Sequence, residues 1–524
     1  MTEGRAPFWN DARVVLAGAL LMVLSNATAH MLMLPPYHAV DEGRHLGYAV
    51  ALADGHIPHV LDKIDPSVLK LKDIKGTNIQ AAAAHPPLYH AIVAFPVKKL
   101  SAADHAAVAV RFARSVSIIF GLASVLMIWR LVRTLLPTRT DILAIVLGAL
   151  GCLPIFTFAV SVAYNDSLAM LGVTGALAAT AAASVQGFKR RLWIECAIWM
   201  AVAGSTRMTA FLATMPVALA WWVIAAKRSD AASRVRRHLA GALVGGGLFF
   251  TTALACGWFY VRNVVLYGDP TAATALLDRL DRVPHGYFRA FVLRSGVLYE
   301  QHWTRIVGGV VLPESSERYA HLLMLLAGVG SVVLFVRWVR RKPRPLPLGP
   351  ARLAWATVAG SALINLVLVL AFHAKGGDIT PRYILAFAWL QMLLLLVPMT
   401  WPKKPSLVLG VLLSMAIMHF LIMDAYAAEQ IGTVLLSPDR PGRRGTDFSV
   451  AMGIRRSGVP LPGVWFVGLL VLYTTGLVMV LGAVLRRYKP TLGALATGGE
   501  GGRLDLPSDD ANPRPGGAGD EKHE

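Results

Sequence analysis

The chain has 524 residues, 55% of them hydrophobic and 16% charged, whereas soluble domains carry about 25% charged residues. That composition excludes an ordinary water-soluble enzyme and points to lipid as the solvent. The net charge of +20 comes without any basic, aromatic-interleaved module, which excludes nucleic acid as a partner and fits Lys and Arg gathered in cytoplasmic loops near anionic lipid.

A helix needs about 20 apolar residues to span the hydrocarbon core. Read in chain order, the sequence predicts spans at 13–34, 107–130, 141–161, 166–186, 192–206, 209–226, 239–261, 320–336, 353–372, 382–400, 405–424 and 463–485. The expected fold is therefore an all-α polytopic membrane protein with about 12 transmembrane helices. Ala27-Thr28-Ala29 resembles a signal-peptide cleavage site, but the apolar run continues through Leu34 and is long enough to span. The transmembrane module is expected over 1–487, with a disordered cytoplasmic tail at 488–524, where glycine, proline and charge replace apolar residues. Cys152, Cys196 and Cys256 fall inside apolar runs with neither metal-ligand spacing nor a disulfide framework.

Orientation follows from short-loop charge. Arg130, Arg133 and Arg139, then Lys189-Arg190-Arg191, then Lys227 to Arg237, and later Arg337 to Arg344 with Lys403-Lys404 occupy one set of loops, which is taken as cytoplasmic. Twelve spans then place both termini in the cytoplasm and three long segments, 35–106, 262–319 and 425–462, outside. In the first of these, residues 41–55 put Leu46, Ala49, Val50 and Leu52 on one face, the pattern of a helix lying in the membrane interface. His85-Pro86-Pro87-Leu88-Tyr89 opens a second amphipathic stretch.

Several polar positions fall on that external face. Asp41 and Glu42 follow the first span; either can act as a general base, or both can be solvated carboxylates at a helix start. Asn165-Asp166-Ser167 is a helix cap, or Asp166 holds a substrate hydroxyl or a cation. Arg207 interrupts two apolar runs, as an ion-pair partner or a substrate contact. Arg262 ends an aromatic stretch and precedes Asn263 and the turn Gly268-Asp269-Pro270; its planar fork suits phosphate oxygens. Asp378 and Arg382-Tyr383 open the span at 382–400, where Arg382 either snorkels or binds a second phosphate oxygen. A carboxylate base beside several cations at lipid depth suggests chemistry on a membrane-bound phosphate compound.

These residues, in this order, resemble the GT-C superfamily of integral membrane glycosyltransferases, in the style of bacterial protein-O-mannosyltransferase-like and lipid A aminoarabinose transferase-like proteins. The resemblance runs over residues 10–400, from Asp41-Glu42, His45, Tyr48 and Gly55-His56-Ile57-Pro58 through His85-Pro86-Pro87-Leu88-Tyr89, Arg111, Arg114, Asn165-Asp166, Arg207 and Arg262-Asn263 to Asp269-Pro270, then Arg382-Tyr383. It implies a transferase that takes a sugar from a polyprenyl-phosphate donor outside the cell membrane. The acceptor is a glycan, a lipid or a protein. Asp41 is implied as the base and Glu42 as second member of the pair. His45, His85, Tyr89, Asp166, Arg207, Arg262, Asn263, Asp378, Arg382 and Tyr383 are implied around the substrate. Some relatives hold a divalent cation beside the base; no clear ligand set is visible here, and no other cofactor is implied. Relatives often end in a soluble external domain, which is not expected in this chain. A secondary transporter and a ligase of lipid-linked glycans are the competing readings.

Overall fold

The computed structural model describes residues 11–34, 36–37, 39, 41–65, 79–103, 105–228, 233–293, 305–306, 310–311, 351–378, 381–399, 409–417, 419–420 and 449–496. The span expected at 320–336 lies outside these residues, as do parts of the one at 405–424, parts of all three long loops, and everything after Ala496. Among the described residues seven helices are long and apolar enough to cross a membrane. The protein is an all-α, multi-pass membrane protein. Extended pairing among the described residues is limited to a two-residue antiparallel ladder, Arg305–Ile306 with Val310–Val311, and one bridge, Lys63 with Ile79.

Helix α1 (Asp11–Met33) has 23 residues, about 35 Å at 1.5 Å per residue, enough to span. After α1 come α2 (Glu42–Ala53), α3 (Leu88–Ala102) and α4 (Ala106–Leu135). The run expected at 141–161 is two helices, α5 (Thr140–Cys152) and α6 (Pro154–Ala159). Leu153 is extended, and proline, lacking an N–H, starts α6 anew. Then follow α7 (Asp166–Gln186), α8 (Arg190–Gly204), α9 (Met208–Ala213), α10 (Met215–Arg228) and α11 (Arg234–Tyr267). Gly268 ends α11 at φ 69°, donating its N–H to Val264 O at 2.9 Å. The chain continues through α12 (Ala273–Arg279), α13 (Arg352–Ala374), a 3-10 segment Pro381–Phe387, α14 (Ala388–Met399), α15 (Ser449–Arg456) and α16 (Pro462–Ala496). The backbone of α16 thus stays helical eight residues past Tyr488.

Without water to drive them together, helices in lipid associate by close packing and interhelical hydrogen bonds. The crossing of α1 and α16 shows both. A Cβ on Gly476 would stand 2.5 Å from Gly18 O, so only glycine lets the two backbones approach this far. Nearby, Ser25 Oγ donates to Leu469 O at 2.6 Å and Asn26 Nδ2 to Gly151 O at 2.7 Å, tying α1 to α16 and α5. Helix α7 is the centre of the bundle: 89% of its apolar window is buried inside the protein, against 28% for that of α11. Helices α4, α8, α10 and α13 surround α7. Its first residue, Asp166, opens the candidate site.

The first loop folds onto the end of the bundle where α7 begins. Nine of the twelve residues of α2 are buried, because α3 and the 3-10 turn Ala81–Ala84 cover it. The exposed apolar surface lies on α3 instead, with Ile92 and Phe95 facing outward.

Candidate active site

Asp41 immediately precedes α2 and its carboxylate is the junction of the site. Oδ2 accepts from Arg382 Nη2 at 2.6 Å and Oδ1 from Arg44 Nη1 at 2.9 Å. The Arg44 contact spans one helical turn; Arg382 lies 341 residues away in sequence. The Asp41 N–H donates to Tyr164 Oη at 3.3 Å, and Arg382 lies 4.9 Å from the centroid of the Tyr164 ring. Burial resists ionisation of Asp41, but Arg382 and then Arg44 and Arg207 outweigh it and hold the carboxyl below its usual value of 3.8.

A second pair stands beside the first. Arg207 Nη1 donates to Asp166 Oδ1. Arg207 is held in extended backbone between α8 and α9, so its side chain leaves the turn rather than a helix face. Burial lowers its guanidinium to about 10, which leaves it a cation at neutral pH. The Tyr383 ring joins the pairs: Arg207 lies 5.1 Å and Arg382 5.3 Å from its centroid. The guanidinium groups of Arg44, Arg207 and Arg382 thus gather around the carboxylates of Asp41 and Asp166. Arg382 Nε is buried with no hydrogen-bond partner. Asp166, Arg207, Arg382 and Tyr383 line an open recess whose walls continue along α7 as Ala169, Met170 and Val173.

Histidines close one side. His45 Nδ1 and His90 Nε2 share a hydrogen bond of 2.9 Å, and their rings stack at 5.2 Å. His45 also lies 5.1 Å from the Tyr164 ring. Burial, more than the neighbouring cations, keeps His45 and His85 well below their usual value and His90 at about 3, so all three are neutral at physiological pH.

Other expected residues are engaged elsewhere. Glu42 is fully buried: Arg114 Nε donates to Oε1 at 2.8 Å and Nη2 to Oε2 at 2.6 Å, and the N–H groups of Ala163 and Tyr37 add one bond to each oxygen, both at 3.1 Å. Arg114 Nη1 in turn satisfies Met31 O and Leu34 O. This is a buried cross-brace between α1, α2, α4 and the turn before α7. Arg262 donates to Ile57 O and Pro58 O at 3.2 and 3.0 Å and to Asn263 Oδ1 at 3.1 Å. Asn263 donates to Ala84 O and Pro270 O. Both residues moor the first loop to α11. Tyr89 is buried, with Oη at 2.8 Å from Ser117 Oγ. Asp378 makes an exposed pair with Arg282 at 2.9 Å, a kind of contact worth about 0–1 kcal/mol. Asn165 does not cap α7 with its side chain; Nδ2 donates to Thr206 O.

Sequence reasoning did not single out Arg44, Tyr164 or His90 as site residues. Arg44 is one turn from Asp41 and Tyr164 adjoins Asn165-Asp166, so both were within reach of spacing arguments. His90 carried no signal apart from His85. The donor set does not fit a divalent cation. Asp41 and Asp166 present oxygens to guanidinium groups, and the described residues contain no cluster of three His, Cys, Asp or Glu that would hold one.

No family model matches the chain, and no curated protein matches it. Among solved structures it is similar to the archaeal oligosaccharyltransferase AglB from Archaeoglobus fulgidus, determined in complex with an inhibitory peptide and a dolichol-phosphate. The identity is 12% and the TM-score 0.38, over 88% of this chain and 56% of that one. The chain therefore spans little more than half of that protein's length, and the likeness does not assign it to a family.

Proposed function

We propose that the protein is a glycosyltransferase of the GT-C type that moves a sugar from a polyprenyl-phosphate donor to an envelope acceptor on the external face of the membrane. The observation that carries this reading is the Asp41–Arg382 pair beside Arg207, two guanidinium groups that line a recess set among membrane helices. Guanidinium groups set among membrane helices suit a lipid phosphate, and the planar fork of arginine suits its oxygens.

The step is a single displacement. The acceptor hydroxyl gives its proton to Asp41, its oxygen bonds to the anomeric carbon, and the bond from that carbon to the phosphate oxygen breaks. The electron pair leaves with the lipid phosphate. Arg382 and Arg207, which line the recess, neutralise the phosphate as it departs. Asp41 takes the base role rather than Glu42, whose oxygens each already accept two hydrogen bonds. Arg262 and Asn263 hold the loop that carries Asp41 against α11.

The test uses purified protein in nanodiscs with polyprenyl-phosphate-linked sugars and envelope acceptor lipids or glycans. The wild type is expected to release polyprenyl phosphate. Arg382→Ala is expected to lower release about 10²–10³-fold, the usual effect of removing one oxyanion donor, and Arg382→Lys to recover only part of it because the fork is lost. A transporter would move the lipid or its sugar across the nanodisc-equivalent proteoliposome without cleaving the phosphate bond. Intact donor after long incubation with every acceptor class, alongside such movement, contradicts the transferase reading.

A further inference from the structure

Helix α13 carries a line of buried polar residues one turn apart, Thr357, Ser361 and Asn365, along an otherwise apolar span. Thr357 satisfies itself by donating to Leu353 O at 2.8 Å. Asn365 does not. It is 4% exposed, and its Oδ1 has no hydrogen-bond partner. An amide oxygen sealed among helices without a donor is costly, and a polar side chain within a span is by default a candidate for function. Asn365 also lines the recess that Arg207 and Arg382 open. It lies nine residues before the Ala374 end of α13, about 14 Å along the axis. Met170, Val173 and Ala210 add apolar side chains to the same lining, beside Thr209.

A polyisoprenoid chain could fill this space but would leave the amide oxygen unsatisfied, since it has no donor to give. A sugar meets both demands. Its ring face covers small apolar side chains, and a hydroxyl donates to the amide. We propose that Asn365 is a specificity-determining residue that accepts a hydrogen bond from a hydroxyl of the donor's sugar, so that the sugar, not the prenyl tail, enters the recess behind the phosphate site. The inference rests on the donor class proposed above and deepens it.

The test is equilibrium binding to purified protein in nanodiscs, with polyprenyl phosphate and with polyprenyl-phosphate-linked mannose, glucose and arabinose as probes. Wild type is expected to bind one of the sugar-bearing lipids more tightly than polyprenyl phosphate. Asn365→Leu is expected to weaken that lipid about tenfold, the loss of one net hydrogen bond, while leaving the Kd for polyprenyl phosphate unchanged. Its thermal midpoint should stay level or rise, because leucine removes an unpartnered polar atom at similar volume. Asn365→Ala gives the same selective loss if leucine disturbs packing. Asn365→Leu or Asn365→Ala binding the sugar lipid as wild type does, or either variant shifting both lipids equally, overturns the sugar assignment alone. Wild type that binds no sugar-bearing lipid in preference to polyprenyl phosphate overturns the donor reading as well.

Discussion

Asp41→Asn is expected to lower turnover of a polyprenyl-phosphate-linked sugar by about 10²–10⁴-fold, the range that general-base catalysis supplies, while donor binding changes little. Asparagine is nearly isosteric and its Oδ1 still accepts from one arginine, but it cannot take the acceptor's proton. The measurement is single-turnover release of polyprenyl phosphate beside equilibrium binding of the same lipid; loss of binding with an unaltered chemical rate would assign Asp41 to positioning instead. The pH dependence has a definite sign. Arg382, Arg44 and Arg207 hold the folded carboxyl below its usual 3.8, so its contribution to stability is complete above that value. It is lost only as pH falls through the lower, folded value. The same group therefore stays ionised across the neutral range, and wild-type activity should show no fall from Asp41 until the solution is more acidic than pH 3.8.

Glu42→Gln is expected to be strongly destabilising. It sets Arg114, 1% exposed, opposite an amide inside the bundle. Breaking one side of such a pair costs about 3–5 kcal/mol. Replacing both partners, Glu42→Leu with Arg114→Met, removes the stranded charge and should recover part of that loss. It should not recover all of it. The N–H groups of Tyr37 and Ala163 and the carbonyls of Met31 and Leu34 would then lack their partners, at about 1–3 kcal/mol for each that water cannot reach. Thermal unfolding in detergent orders the three proteins as wild type, double variant, Glu42→Gln. A Glu42→Gln protein as stable as wild type but inactive would return Glu42 to the chemistry.

The neighbours Asp41 and Glu42 mark where the sequence stops being legible. As a string they are two equivalent acids after a span. In the fold Asp41 is the residue before α2 and Glu42 its first residue, so the chain turns their side chains to different partners: one to Arg44 and Arg382, the other to Arg114 inside the bundle. Spans such as 166–186 and 353–372 were legible because a run of apolar residues long enough to cross lipid has few other uses. The run at 141–161 misled by its hydropathy, which does not register the break before Pro154. That Asp41, Asp166, Arg207 and Arg382 belong together was visible only as shared sidedness; contacts across 341 residues leave no local signature. Arg262 looked like a phosphate ligand because its type and depth fit, and the carbonyls of Ile57 and Pro58 that take its protons carry no sequence signal at all. Asn365 was hidden by its surroundings, although a single amide within an apolar span is itself a signal.

Mass spectrometry of envelope glycans and lipid-linked sugars, from cells lacking the gene and complemented with wild type or with Asp41→Asn, tests the carboxylate's role most directly. The expected result is a missing glycan and an accumulated polyprenyl-phosphate sugar in the deletion strain, both corrected by wild type and neither by Asp41→Asn expressed at the same level. Glycans unchanged by the deletion, or restored in full by Asp41→Asn, would contradict it.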